Sequence, residues 1–373
     1  MKIILAPDSF KGSGNAFQMA EAMEKGIHSV HPNAETVLLP MADGGEGTME
    51  ILVRASGGFF VAIAAHDPLN RMIEARYGVM GDGITAVIEL AEVSGLSLLR
   101  GDERNPLYTS TFGTGEMILH ALQTGYRKFI VCLGGSATND GGAGILQALG
   151  MKLLDISGAE LLRGGIHLSK LHSIDAADFD ERVQASQFAI ACDVRNPLCG
   201  AQGASAIYGP QKGASPESVR QLDGALKQFA DVIEGHTGLE VVNLAGSGAA
   251  GGTGAALFAF FDAVMESGAR LVMDQIRFDE IIQDADWIVT GEGRLDGQTG
   301  SGKVIEAVCA SAAEQGIPVI AVCGSIGADR AAAARLGLRA CFPIVPGPCT
   351  VEDAMSHAEE WMEERISNIF SLL

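Results

Sequence analysis

Residues 2–9 read KIILAPDS, an apolar run of strand length that stops at a proline and an aspartate. The two segments after this run decide the fold with it. NAFQMAEAMEKGIHSV (15–30) places apolar side chains at helical spacing, and HPNAETVLLPMADGG (31–45) supplies a second strand running into a glycine-rich loop. Strand, helix and strand in that order open a parallel βαβ unit. Near the far end, ADWIVTGEG (285–293), KVIEAVCASAAEQG (303–316) and IPVIAVCGS (317–325) repeat the scheme, and AAAARLG (331–337) with ACFPIVP (340–346) repeats it again. Both ends therefore read as parts of one Rossmann-like, doubly wound parallel sheet.

Between them the pattern changes. GFFVAIAAHDPLN (58–70), RMIEARYGVM (71–80) and GDGITAVIEL (81–90) are short alternating runs split by turn residues, as in antiparallel hairpins. The expected architecture is a two-domain α/β protein: residues 1–60 and 285–373 form the Rossmann-like domain, and 61–284 an inserted mixed α/β domain. The expected site is the cleft between them, where two-domain proteins commonly bind ligands. A length of 373 residues fits two domains. The tail EDAMSHAEEWMEERISNIF (352–370) reads as one amphipathic closing helix.

A net charge of −20 repels polyanions, which argues against nucleic acid and anionic membrane surfaces as partners. Small molecules remain, and an anionic one must meet local cations or a metal. Seven dispersed cysteines without a CxxC pair suit a reducing compartment and give no zinc motif. The first apolar run is too short for a signal-peptide core, and AALFAFFDAVM is too short to cross a membrane, so a cytoplasmic protein is expected. A homo-oligomer is compatible with the sequence, which does not set the oligomeric state.

The 48 glycines are nearly double the roughly 7 % usual share. Many gather in polar loops after strand-like runs: DGGEGT (43–48), GGSATNDGG (134–142), GSGAAGGTG (246–254) and GEGRLDGQTGSGK (291–303). Such loops at strand carboxyl ends are where open α/β sheets bind ligands. GSGAAG fits a dinucleotide fingerprint, but EVVNLA before it is a weak strand and no acidic residue follows at a second strand end. GQTGSGK (297–303) fits a phosphate loop except that Val304 replaces the hydroxyl that would hold magnesium. Lys303 at a helix start could still meet a phosphate.

Carboxylates stand beyond the same runs: Asp8, Asp43, Glu46, Asp140, Asp193, Glu292 and Asp296, with Lys11, Lys212, Arg294 and Lys303 nearby in sequence. Phosphoryl transfer needs this combination of magnesium ligands, phosphate-neutralising cations and a carboxylate for the acceptor hydroxyl's proton. A lone aspartate after a strand is more often a turn former or helix cap. ACDVRNPLCGAQGASAIYGPQKGAS (191–215) reads as a long polar loop and a candidate substrate or nucleotide wall.

Six stretches in order, APDSFKGS (6–13), PMADGGEGT (40–48), GGSATNDGG (134–142), DVRNPLCG (193–200), GPQKGA (209–214) and GEGRLDGQT (291–299), together resemble the bacterial glycerate kinase type 1 family. The resemblance covers essentially the whole chain. It implies the glycerate kinase I fold, a site in the interdomain cleft, and an ATP- and Mg2+-dependent kinase acting on D-glycerate. Enterobacterial members give 2-phosphoglycerate and ADP; the alternative product is 3-phosphoglycerate. Asp296 is the first choice for the general base and Asp193 the second, with Lys11 stabilising phosphate. Asp8, Ser9, Asn139 and Arg294 would bind substrate. Gly134, Gly135, Ser136, Gly141, Lys212 and Lys303 would bind nucleotide phosphates, and Asp140 and Glu292 would bind metal. Two readings from other classes stand beside it: an NAD(P)-dependent oxidoreductase, motivated by GSGAAG, and a non-enzymatic organic-acid-binding protein.

Overall fold

A computed structural model of the chain describes residues 1–296 and 303–372. The chain forms two compact units, Met1–Asp43 with Ala269–Leu373, and Gly44–Gly268. These units divide the chain before the expected boundaries after residues 60 and 284, with a packing reason at each joint. The helix Thr48–Ser56 belongs to the second unit: Met49 and Val53 lie against Gly78, where an added Cβ would meet their side chains at 3.0 and 2.3 Å. The helices Gly268–Gln275 and Phe278–Ile281 belong with the chain ends. Lys2 Nζ donates to the carbonyls of Ile281 and Gln283, both at 2.8 Å, and Arg270 pairs with Asp279.

In the unit built from both chain ends, five parallel strands lie in the order Ala340–Pro343, Val319–Cys323, Trp287–Gly291, Lys2–Pro7, Glu35–Leu38. Ile3, Ile4, Leu5 and Ala6 are all fully buried, so the unbroken apolar run at the start of the chain reflects a strand covered on both faces. The helix Ala16–Val30 starts at Asn15, which forms a capping box with Gln18. It packs on the helix Ala358–Phe370, and Gly26 permits the approach: a Cβ there would stand 2.5 Å from the Glu363 carbonyl oxygen. The tail is two helices, Val351–Ser356 and Ala358–Phe370, because His357 leaves helical geometry between them.

In the other unit six strands lie in the order Val264–Glu266, Gln187–Ala191, Lys128–Cys132, Thr85–Glu89, Met72–Val79, Phe59–His66. The first four run parallel, and the last two, with Thr85–Glu89, form the antiparallel hairpins read from residues 58–90. Phe129 and Phe188 stack across the parallel strands with ring centroids 4.6 Å apart, inside the unit's core. The long segment 191–215 is more ordered than its composition suggests, since it contains the helix Ala204–Tyr208 and the 3-10 turn Pro210–Lys212.

Candidate active site

In the first unit the chain leaves the strand Lys2–Pro7 for one neighbour, Glu35–Leu38, and later returns on its other side at Trp287–Gly291. Strand order therefore reverses beside Lys2–Pro7, and a crevice opens at the carboxyl ends of such a pair. Asp8 and Glu292 are the first residues beyond these two strands, joined where the Asp8 amide donates to the Gly291 carbonyl at 2.8 Å. On the other side the Met41 amide donates to Pro7 O at 2.9 Å, which brings Asp43 off the neighbouring strand end. Three carboxylates thus leave three adjacent strands.

Asp8 is 9 % exposed, and its Oδ1 accepts the Ser9 amide at 2.6 Å. Burial first, then Asp43 and more weakly Glu292, pushes its carboxyl up to about 7, against the Ser9 amide and the Lys11 ammonium. Lys11 is exposed, whereas Phe10 beside it is buried in the core and pins the loop. Arg294 and Asp296 face each other at 3.7 Å, flanking the buried Leu295. Lys303 opens the helix Lys303–Glu314. Residues 297–302, and with them most of the GQTGSGK stretch, lie outside the described residues.

In the second unit the loop 134–142 leaves the strand Lys128–Cys132 at the carboxyl edge of the parallel strands. It does not offer all the amides expected of it. The Gly134 amide is taken by the Gly44 carbonyl at 3.0 Å, and the Gly141 amide by the Gly251 carbonyl at 3.0 Å. These two are spent on holding three glycine loops together. The amides of Gly135 and Ser136 have no partner among the described residues, and Gly135 is exposed, so these two amides suit an anion. The Glu46 side chain lies beside Gly135, and its Oε1 accepts from Ser97 Oγ at 2.7 Å.

Asp140 and Lys212 turn inward. Asp140 is fully buried and accepts from the Thr111 amide and hydroxyl at 2.8 and 2.9 Å and from the amides of Gly142 and Gly144 at 3.3 and 3.4 Å. Both its oxygens accept protein donors, so it braces the loop from inside. Burial raises its carboxyl despite those four donors. Lys212 is 2 % exposed, and its Nζ donates to Ser136 Oγ at 2.8 Å and to the Thr138 carbonyl at 2.6 Å. Burial pulls its ammonium down to about 7, opposed by Asp140. The lysine that the glycine loop lacks in sequence thus lies inside the fold, against the loop.

Asn139 is also fully buried and donates to Ser205 Oγ at 2.9 Å, which ties the loop to the helix Ala204–Tyr208. Asp193 is half-buried two residues beyond the strand Gln187–Ala191. GSGAAG is preceded by no strand, since EVVNLA is irregular. Ala250, Gly251 and Gly252 take left-handed backbone within the segment Ala249–Phe261. Strand, loop and helix are therefore not assembled as a dinucleotide fingerprint requires. Sequence reasoning assigned no role to Glu89, which is 4 % exposed and accepts the amides of Gly47 and Met49, both at 3.0 Å, at the start of the helix Thr48–Ser56. Its signal, an acidic residue ending the apolar run TAVIE, was the same as that of Asp8. Thr111 and Ser205 carried no such signal.

No described helix is long and apolar enough to cross a membrane, and no group of three or more His, Cys, Asp or Glu among the described residues has the geometry to hold a metal alone. The family model for the glycerate kinase family matches residues 3–373. This chain belongs to the glycerate kinase family. Glycerate kinase of Bacillus subtilis (strain 168) is 48 % identical over 369 residues, covering 99 % of this chain and 97 % of the relative. Glycerate 2-kinase of Escherichia coli (strain K12) is 43 % identical over 373 residues, covering 100 % and 98 %. The crystal structure of a candidate glycerate kinase 2 from Salmonella typhimurium LT2 aligns with a TM-score of 0.83 at 44 % identity, covering 100 % of this chain and 98 % of that one. The two-domain α/β fold is therefore that of a glycerate kinase.

Proposed function

We propose that this protein is an ATP-dependent glycerate 2-kinase, transferring the γ-phosphoryl group of ATP to D-glycerate to give 2-phosphoglycerate and ADP. The observation that carries this reading is the family match over residues 3–373, with a relative named glycerate 2-kinase alignable along the whole chain. The chain's acidic switch point and its anion-suited amides are the parts such a reaction needs.

Mg2+ usually binds through one or two carboxylates plus substrate phosphates and waters, so a full protein cage is not required. Asp8, Glu292 and Asp43, on neighbouring strand ends and with the Asp8 carboxyl pushed up by burial and by the other two, fit such a partial site. Bound there, Mg2+ would neutralise charge on the ATP phosphates. Asp296, with 29 % of its side chain exposed, is positioned by the buried Leu295 and takes the acceptor hydroxyl's proton in this reading. Asp193 is the second choice. Lys11 and Lys303 supply positive charge to the phosphates, Ser9 and Arg294 contact glycerate, and the amides of Gly135 and Ser136 hold an anionic oxygen. All seven cysteines are thiols, which supports a reducing, cytoplasmic setting.

Carbon and phosphorus NMR of the product from D-glycerate and ATP tests the reading. A 2-phosphoglycerate signal is expected; a 3-phosphoglycerate signal overturns the regiochemistry, and no phosphorylated product overturns the function. Asp296→Asn should lower kcat by about 10² to 10⁴ with the fold intact. Near-normal turnover in that variant moves the base to Asp193.

A further inference from the structure

Building on the kinase reading, we propose that the Ser136 hydroxyl donates a hydrogen bond to an anionic oxygen of a bound substrate, and that Lys212 is the positioning residue that aims it from inside the fold. A serine hydroxyl has one hydrogen and two lone pairs, while a lysine ammonium can only donate. The 2.8 Å contact from Lys212 Nζ therefore fills a lone pair of Ser136 Oγ and leaves its hydrogen to point elsewhere. Among the described residues no acceptor takes that hydrogen. It belongs to the same residue whose amide, with that of exposed Gly135, is also without a partner. Three donors belong to one turn.

The lysine is delivered rigidly. Its amide donates to Gly209 O at 3.0 Å, and the turn Pro210–Lys212 ends at Gly213, with φ of +94° and no room for a side chain, since a Cβ would stand 2.3 Å from the Arg104 carbonyl oxygen. Burying an ammonium is costly unless it is paired, and a neutral donor could brace the loop more cheaply. The charge does something a neutral group does less well: it strengthens the bond to Ser136, and chained hydrogen bonds polarise one another, so Ser136 becomes a better donor. Two further atoms of the same loop, Thr138 Oγ1 and Asn139 Oδ1, are buried without a partner, which marks the turn as built for more than its own packing.

The anionic oxygen can come from an ATP phosphate or from the glycerate carboxylate. The test is a double-mutant cycle on Ser136→Ala and Lys212→Met in the full chain, with folding checked by thermal melting. kcat and the KM for each substrate are measured, together with the ATP dissociation constant by calorimetry. Ser136→Ala should lower kcat/KM by about 10- to 10²-fold, in line with losing one aimed donor. Lys212→Met should do likewise, and the double variant should fall no more than about 3-fold below the poorer single, because the two act as one unit. Ser136→Thr, which keeps the hydroxyl, should recover most of the loss. If Lys212→Met does not fold, Lys212→Gln takes its place in the cycle. A Ser136→Ala enzyme within about 3-fold of wild type, or losses that multiply in the double variant, overturns the proposal. A rise in KM confined to ATP or to glycerate identifies the oxygen. Absence of product from wild type would sink the kinase reading instead, and the ATP dissociation constants across the cycle would still decide the Ser136–Lys212 coupling.

Discussion

At the end of the first strand Asp8 is nearly buried beside Asp43 and Glu292, and its carboxyl is pushed up from 3.8 to about 7. A carboxyl raised in the folded state keeps a proton that the unfolded chain releases between about pH 4 and 7. Stability therefore falls as pH rises through that window and stays low above it. Asp8→Asn should raise the melting temperature at pH 8, by an amount corresponding to about 2–4 kcal/mol, and should flatten the pH dependence, both read by thermal melting. The same variant should lose most kinase activity, the usual trade between a strained site and a stable fold. Millimolar Mg2+ should raise the melting temperature of wild type at pH 8 more than that of Asp8→Asn; an equal shift removes Asp8 from the metal site.

Among the elements, the glycine loops of the second unit hold one another. Gly251 has φ of +67°, and a Cβ on it would stand 2.0 Å from the Thr138 carbonyl oxygen, which accepts from Lys212. Gly251→Ala combines a disfavoured backbone with a clash on the loop that the site depends on. It should cost about 2–4 kcal/mol in urea unfolding and depress kcat. Glu89 closes the start of the helix Thr48–Ser56 with both oxygens, although burial raises its carboxyl to about 7. Glu89→Ala leaves the Gly47 and Met49 amides without their acceptor and should destabilise by about 1–3 kcal/mol.

For the whole molecule, the unit made from both chain ends depends on its last helix. Met362, Ile366, Ile369 and Phe370 are buried against Met19, Met23 and Ile27 in one core. At about 1.5–3 kcal/mol for each buried side chain, removing residues 358–373 deletes roughly 6–12 kcal/mol, comparable to the 5–15 kcal/mol stability of an ordinary protein. Hydrogen exchange on that truncation should show protection lost across the sheet Lys2–Pro7, Glu35–Leu38 and Trp287–Gly291. Protection should persist in Lys128–Cys132, whose core belongs to the other unit.

Periodicity along the chain was enough for the βαβ ends, for the antiparallel character of residues 58–90 and for the carboxylates Asp8, Glu292 and Asp296 at strand ends, because these depend on residue types within one element. The six linked motifs were enough for the family. Boundaries were not legible: whether the helix Thr48–Ser56 joins the sheet before it or after it depends on which surface buries Met49 and Val53, a choice made by partners distant in sequence. The same holds for direction. Asp140 and Lys212 carry the chemistry of a metal ligand and a phosphate clamp, but the fold turns both inward, and only packing around Thr111, Ser136 and Thr138 gives them acceptors and donors there. Which of four glycine-loop amides stay available for an anion was likewise settled by Gly44 and Gly251, since backbone hydrogen bonds between loops leave no mark in the sequence of any one of them.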